Sequence, residues 1–111
     1  MITVKYLPDK HKLVIRGHAN YAEKGKDIIC AATSMVFYNL CQMMRQYPPE
    51  AWRKAPIMKE PLGKNGITSL EVKPTDDYET WIDHDFLFAL TGFELLMGQY
   101  PEHINLVVTE H

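Results

Sequence analysis

Leu13-Val14-Ile15-Arg16-Gly17-His18-Ala19-Asn20-Tyr21-Ala22-Glu23-Lys24-Gly25-Lys26-Asp27-Ile28-Ile29-Cys30-Ala31-Ala32 carries the chain from strand to helix and sets out its chemistry on the way. Leu13 to His18 has the alternation and β-branched content of a strand. After a loop of small and polar residues, Asp27 stands where a helix begins, since its carboxylate can accept from the otherwise unpaired amides near residues 29 and 30. Cys30 then falls in the first helical turn. The positive end of the helix dipole favours the thiolate there, and nucleophilicity at neutral pH follows. His18, twelve residues upstream, is available as its proton partner.

Working outward, Ile2 to Leu7 is a second alternating segment, separated from Leu13 by Pro8-Asp9-Lys10-His11-Lys12, so the two read as a hairpin. From Asp27 to about Tyr47 the period becomes helical, with Ile29, Ala32, Val36, Leu40 and Met43 recurring and Pro48-Pro49 closing the helix. Pro48 to Gly66 holds four of the seven prolines and little periodicity. It reads as an irregular surface connection with a helical turn around Glu50 to Lys54. Ile67 to Lys73 is expected as a third strand with Leu70 and Val72 on one face. A second helix follows from Thr80 or Asp83 to Tyr100, stopped by Pro101, and Ile104 to Thr109 is a fourth strand. The element order is ββαβαβ, in a single domain over 1–111.

Composition narrows the class. Apolar residues make up 46% and charged residues 23% of the 111-residue chain, as in ordinary globular proteins. No window approaches the apolar run of a membrane span, and the amino end lacks a basic region followed by an apolar one, so neither membrane nor secretion is expected. A net charge of −2 argues against direct nucleic-acid binding as the main task. Cys30 and Cys41 fall eleven residues apart on one helix, beyond disulfide reach, and read as thiols in a reducing cytoplasm. His11, His18, His84, His103 and His111 show no spacing that presents two ligands to one metal. No phosphate-binding glycine pattern occurs, and Tyr47, Trp52 and Lys54 are too scattered for a base-stacking platform. The second helix is apolar nearly all round, which in a small domain calls for sandwiching or a partner chain, most simply a homodimer.

The candidate site residues each admit two readings. Cys30 is either an activated nucleophile or a small apolar plug beside Ala31 and Ala32. His18 is either its proton partner or a strand-end histidine satisfied by a backbone carbonyl. Gly17 and Gly25 permit close substrate approach, and equally a plain tight turn. Asp27 caps the helix or orients His18, while its charge opposes the thiolate. Ser34, one turn beyond Cys30, donates to a substrate or thiolate, or bonds back to its own helix. The backbone amides of Ile29, Cys30 and Ala31 are the natural oxyanion donors.

The run Gly17-His18-Ala19-x-Tyr21-Ala22-x-x-Gly25-x-Asp27-Ile28-Ile29-Cys30-Ala31-Ala32-x-Ser34 resembles the signature of the ribosomal-processing cysteine protease family, Prp. That resemblance implies a small bacterial homodimer that removes an N-terminal extension from the large-subunit ribosomal protein numbered twenty-seven. It implies Cys30 as nucleophile and His18 as general base and acid, with Asp27, Ser34, Gly17 and Gly25 in support and no cofactor or metal. It further implies an antiparallel sheet with two long helices and a His-to-Cys loop that orders over bound peptide; with the element order read above, the expected fold is α+β with an antiparallel four-stranded sheet. Phe37 and Tyr38 are bulkier than the resemblance leads one to expect. With the Trp52 connection they admit a phage-type paralogue acting on a capsid or scaffold protein. Two further alternatives are a non-catalytic ribosome-associated interaction module, with an inert Cys30, and a thiol-dependent acyl transferase.

Overall fold

The structure, a computed structural model, describes residues 1–17, 27–59 and 67–109. Its elements are β1 (Ile2–Leu7), β2 (Lys12–Arg16), α1 (Ile28–Arg45), β3 (Trp52–Lys59), β4 (Ile67–Pro74), α2 (Asp76–Gln99) and β5 (Ile104–Val108). One-turn 3-10 segments at Pro8–Lys10 and Pro49–Ala51 join β1 to β2 and lead into β3. β1 and β2 form the hairpin, with Thr3 opposite Arg16 and Leu7 opposite Lys12. Ile2, Val4, Tyr6, Leu13 and Ile15 point inward from it.

The expected four-stranded antiparallel sheet in order ββαβαβ is incorrect on two counts. The sheet has five strands in the order β3-β4-β2-β1-β5, and it is mixed, because β5 pairs parallel to β1. The extra strand, β3, lies within the segment expected to be irregular; among its described residues, only Pro49–Ala51 is helical. β3 is an edge strand whose pairing with β4 shifts register on either side of Lys54. An edge is where a strand tolerates Pro56, which has no amide to donate. Its side chains are mostly exposed, so no alternation marks it in the sequence.

Direction follows from connectivity. β4 and β1 both run antiparallel to β2, hence parallel to each other. Helix α2 carries the chain from β4 across to β5, and such a crossover returns a strand in its starting direction. β5 therefore meets β1 in parallel, Ile2 against Ile104.

Both helices bury one face into a common core. α1 contributes Ile29, Thr33, Phe37, Leu40, Cys41 and Met44, and α2 contributes Ile82, Phe86, Ala89, Leu90 and Phe93. The buried face of α1 is turned from the expected Ala32-Val36-Met43 row because Phe37, 1% exposed, takes the interior. Burying one phenyl contributes about 1.5–3 kcal/mol, more than an alanine in the same place. The bulk at position 37 is thus accounted for by packing. Helix α2 starts earlier than expected, at Asp76, since Asp76, Asp77 and Glu79 in its first turn suit the positive end of the helix dipole.

Candidate active site

Strand β2 stops at Arg16 rather than continuing to His18 because Gly17 turns the chain at φ +88°. A Cβ at Gly17 would overlap the carbonyl oxygen of Met1. Positive φ and the close approach both require glycine there. The next residue in sequence is His18. His18, Gly25 and the expected covering loop lie outside the described residues.

The chain is described again at Asp27, which is extended (φ −78°, ψ 100°) and caps α1. Its Oδ1 accepts from the amides of both Ile29 and Cys30 at 3.0 Å. Its backbone carbonyl accepts from Ala31 N at 3.1 Å, the first helical bond. The three amides expected to serve an oxyanion are therefore all engaged in this arrangement, two of them by a carboxylate. The physical reason is general: the unpaired amides and dipole at a helix start attract an anion, and Asp27 supplies one from within the chain.

Cys30 is half-buried at the edge of the core, while Ile28 and Ala31 beside it are exposed. One turn on, two hydroxyls flank it. Ser34 faces solvent. Thr33 is 3% exposed, and its Oγ1 has no hydrogen-bond partner among the described residues. The structure thus gathers Asp27, Cys30, Thr33 and Ser34 on the first two turns of α1. Thr33 was not singled out in the sequence, where the helical period assigned Ala32 to the inner face. The available signal was a hydroxyl three residues after the cysteine.

A cavity of about 560 Å³ lies elsewhere, between the β1–β2 turn and α2 at the opposite end of β2 from Gly17. Its wall includes Tyr6 and His11, whose Nε2 lies 2.9 Å from Asp83 Oδ1. Burial, with Asp83 adding to it, pushes the Tyr6 hydroxyl up to about 12. That corner ties the hairpin to α2, and no cysteine is among the described residues that line it. Among the described residues no group of three or more His, Cys, Asp or Glu side chains is placed to hold a metal ion. No described helix is long and apolar enough to cross a membrane.

Three comparisons bear on this arrangement. The family model described as cysteine protease Prp matches residues 1–105. The chain is 46% identical over 35 residues to the ribosomal processing cysteine protease Prp of Mycoplasma pneumoniae, a match covering 32% of this chain and 35% of that relative. In three dimensions it is similar to the essential ribosomal processing protease Prp of S. aureus, solved with a covalently linked product peptide. There the TM-score is 0.80 at 22% identity, covering 98% of this chain and all of that one. It is also similar to SMU.848 of Streptococcus mutans, with a TM-score of 0.68 at 20% identity, covering 99% and 93% of the two chains. At such identities the structural likeness speaks for the fold alone. The family match spans every element from β1 into β5, Gly17 and the Cys30 turn included, and by it the chain belongs to the cysteine protease Prp family.

Proposed function

We propose that this chain is a cysteine endopeptidase that removes an N-terminal extension from a ribosomal large-subunit protein precursor, the protein numbered twenty-seven. The observation that carries this reading is the family match across residues 1–105, with Cys30 in the first turn of a capped helix. The Cys30 thiolate attacks the peptide carbonyl carbon, and the carbonyl π electrons move to oxygen. Collapse of that intermediate breaks the C–N bond, and His18 delivers the proton to the leaving amine. His18 then takes a proton from water as the water attacks the thioester, restoring the thiol and releasing the acid.

Asp27 bears on the oxyanion. Two of the candidate donor amides hold its Oδ1. A developing oxyanion either displaces that carboxylate or draws on other donors. The exposed apolar side chains Met35, Tyr38, Phe88 and Leu95 on α1 and α2 support a homodimer as the working form.

The test is incubation of the precursor with wild type and with Cys30→Ser, read by intact-mass spectrometry. Loss of the extension with wild type alone is the expected result. Trimming by both proteins, or by neither, would overturn the proposal.

A further inference from the structure

We propose that the open face of the sheet, the one turned away from both helices, is a docking surface for the phosphate backbone of base-paired RNA. The surface goes beyond the protease reading; only the choice of RNA among nucleic acids rests on that reading, since ribosomal proteins sit on RNA.

The face follows from strand alternation. Val4, Leu13, Ile15, Leu70 and Val72 point into the one core shared with α1 and α2, so their neighbours along each strand point the other way. Those neighbours include Lys5 on β1, Lys12 and Arg16 on β2, and Lys73 on β4. On β3, Lys54 stands opposite Lys73 and Lys59 opposite Ser69, which places both on the same face. The five strands hold one acidic residue, Glu71, which stands opposite Lys12. A groove of about 430 Å³ runs along the hairpin side of this surface, walled by Lys5, Lys10, Lys12 and Arg16.

The net charge of −2 is therefore an average over two unlike sides. Helix α2 holds Asp76, Asp77, Glu79, Asp83 and Asp85, and the open face holds the cations. A field so divided steers a polyanion to one side of the molecule whatever the net charge. None of the six cations on the strands forms an ion pair with a described residue; pairing is found instead at His11 and Arg53, which bond to acids of α2. Lys54 and Lys73 are directly opposed, an arrangement that destabilises a sheet. A polyanion lying across them offsets that cost.

The rest of the face selects among polyanions. Among the described residues no aromatic ring stands on it, because Tyr6 points into the core and Trp52 pairs with the buried Pro74. Single strands are gripped by stacking their bases on rings. Without rings, contact is confined to phosphates, which a duplex presents in a rigid array. Lysine is also depleted from the centres of protein interfaces, which rely on aromatic and apolar anchors.

The experiment is fluorescence anisotropy of a labelled RNA duplex of about twenty base pairs, titrated with the full chain between about 50 and 200 mM salt. Affinity should fall about a hundredfold across that range, as it does when several phosphates are neutralised. Lys5→Glu/Lys73→Glu, at two exposed positions, should weaken binding at least about tenfold at the low-salt end with a thermal midpoint near that of wild type. Arg45→Glu, on α1, should change it about twofold or less. If the charge-reversed variant unfolds, Lys5→Gln/Lys73→Gln, which relieves the opposed lysine pair, takes its place and should still weaken binding several-fold. Wild-type affinity in a folded double variant, or an equal loss in Arg45→Glu, overturns the proposal. So does tighter binding to a DNA duplex of the same sequence, to poly-glutamate or to phosphatidylglycerol vesicles. A chain that binds the RNA duplex but leaves the precursor untrimmed overturns the protease reading and leaves this surface standing; one that trims the precursor and does not bind the duplex does the reverse.

Discussion

Cys30 and Cys41 stand on the same helix, yet the two ends of α1 are built differently. The amino end is held by local polar bonds, with Asp27 folding back onto two amides. The carboxyl end is held by tertiary packing. Tyr47 stacks edge-on against Trp52 and Tyr78 at centroid distances of 5.8 and 6.0 Å, and its hydroxyl donates to Asp85 Oδ2 at 2.5 Å. Cys41 is 3% exposed, while Cys30 is half-buried at the core's edge. One thiol therefore belongs to the core, and the other, at its edge, is the one to which the proposed chemistry is assigned. The general lesson is that position on a helix, more than residue type, decides whether a cysteine is inert or reactive.

The largest expected effect sets the two ends directly against each other. Cys30→Ser should reduce peptide cleavage by at least about a thousandfold with little change in thermal midpoint, because the edge of the core tolerates a hydroxyl. Cys41→Ser should leave turnover intact and cost about 1–3 kcal/mol of stability, the price of burying a hydroxyl in place of a thiol. Denaturant unfolding and peptide turnover measured on both variants check the pair. Loss of cleavage in a folded Cys41→Ser protein would break the comparison.

Next in size is Gly17, where the chain leaves β2 toward the amino end of α1. Gly17→Ala should destabilise by about 2 kcal/mol or more, since alanine resists positive φ and its methyl has no room beside the Met1 carbonyl. Urea titration measures this. An alanine variant of wild-type stability would mean that the strand exit is looser than its geometry implies.

Asp27 sharpens the contrast further because its two effects have opposite signs. Asp27→Ala should lose about 1 kcal/mol of helix stability, the ordinary worth of a cap. It should also speed alkylation of Cys30 at neutral pH by releasing two donors and removing a charge, and leave Cys41 unaffected. A cleavage rate that falls while alkylation rises would assign Asp27 a second duty toward His18. Parallel falls in both would confine it to structure.

Much of this architecture was legible because burial leaves a period behind. β1 and the hairpin follow from buried Ile2, Val4 and Tyr6 alternating with less buried neighbours. The start of α1 follows from Asp27, whose side chain does in the structure what an N-cap does in general. β3 was hidden for the converse reason: mostly exposed and carrying Pro56, it owes its existence to backbone pairing with β4, which no side-chain pattern records. The parallel pairing of β5 with β1 was hidden because direction is a property of the whole path through α2. At the start of α1, the placement of Cys30 in the first turn was readable from the cap. Thr33 was not, since its inward orientation depends on how Phe37 turns the helix.

The smallest expected effect lies at high pH and belongs to the packed side of the molecule. Tyr6 is raised from its ordinary 10.0 to about 12, first by burial and then by Asp83, and Tyr47 is raised further by burial and its bond to Asp85. Between 10 and 12 the folded protein keeps protons on these phenols that the unfolded chain releases. The folded state then binds more protons than the unfolded one, so stability falls as pH rises. Their contribution is complete below pH 10 and declines through about 12. Urea midpoints taken at pH 9, 10 and 11 should drop progressively in wild type and more gently in Tyr6→Phe, which has no proton to lose. Asp27→Ala should follow the wild-type slope from a lower starting value, because Asp83 and Asp85 bond to His11 and Tyr47, away from the cap of α1. An Asp27 variant that flattened the alkaline slope would show the two ends to be electrostatically coupled, and the division between them would have to be redrawn.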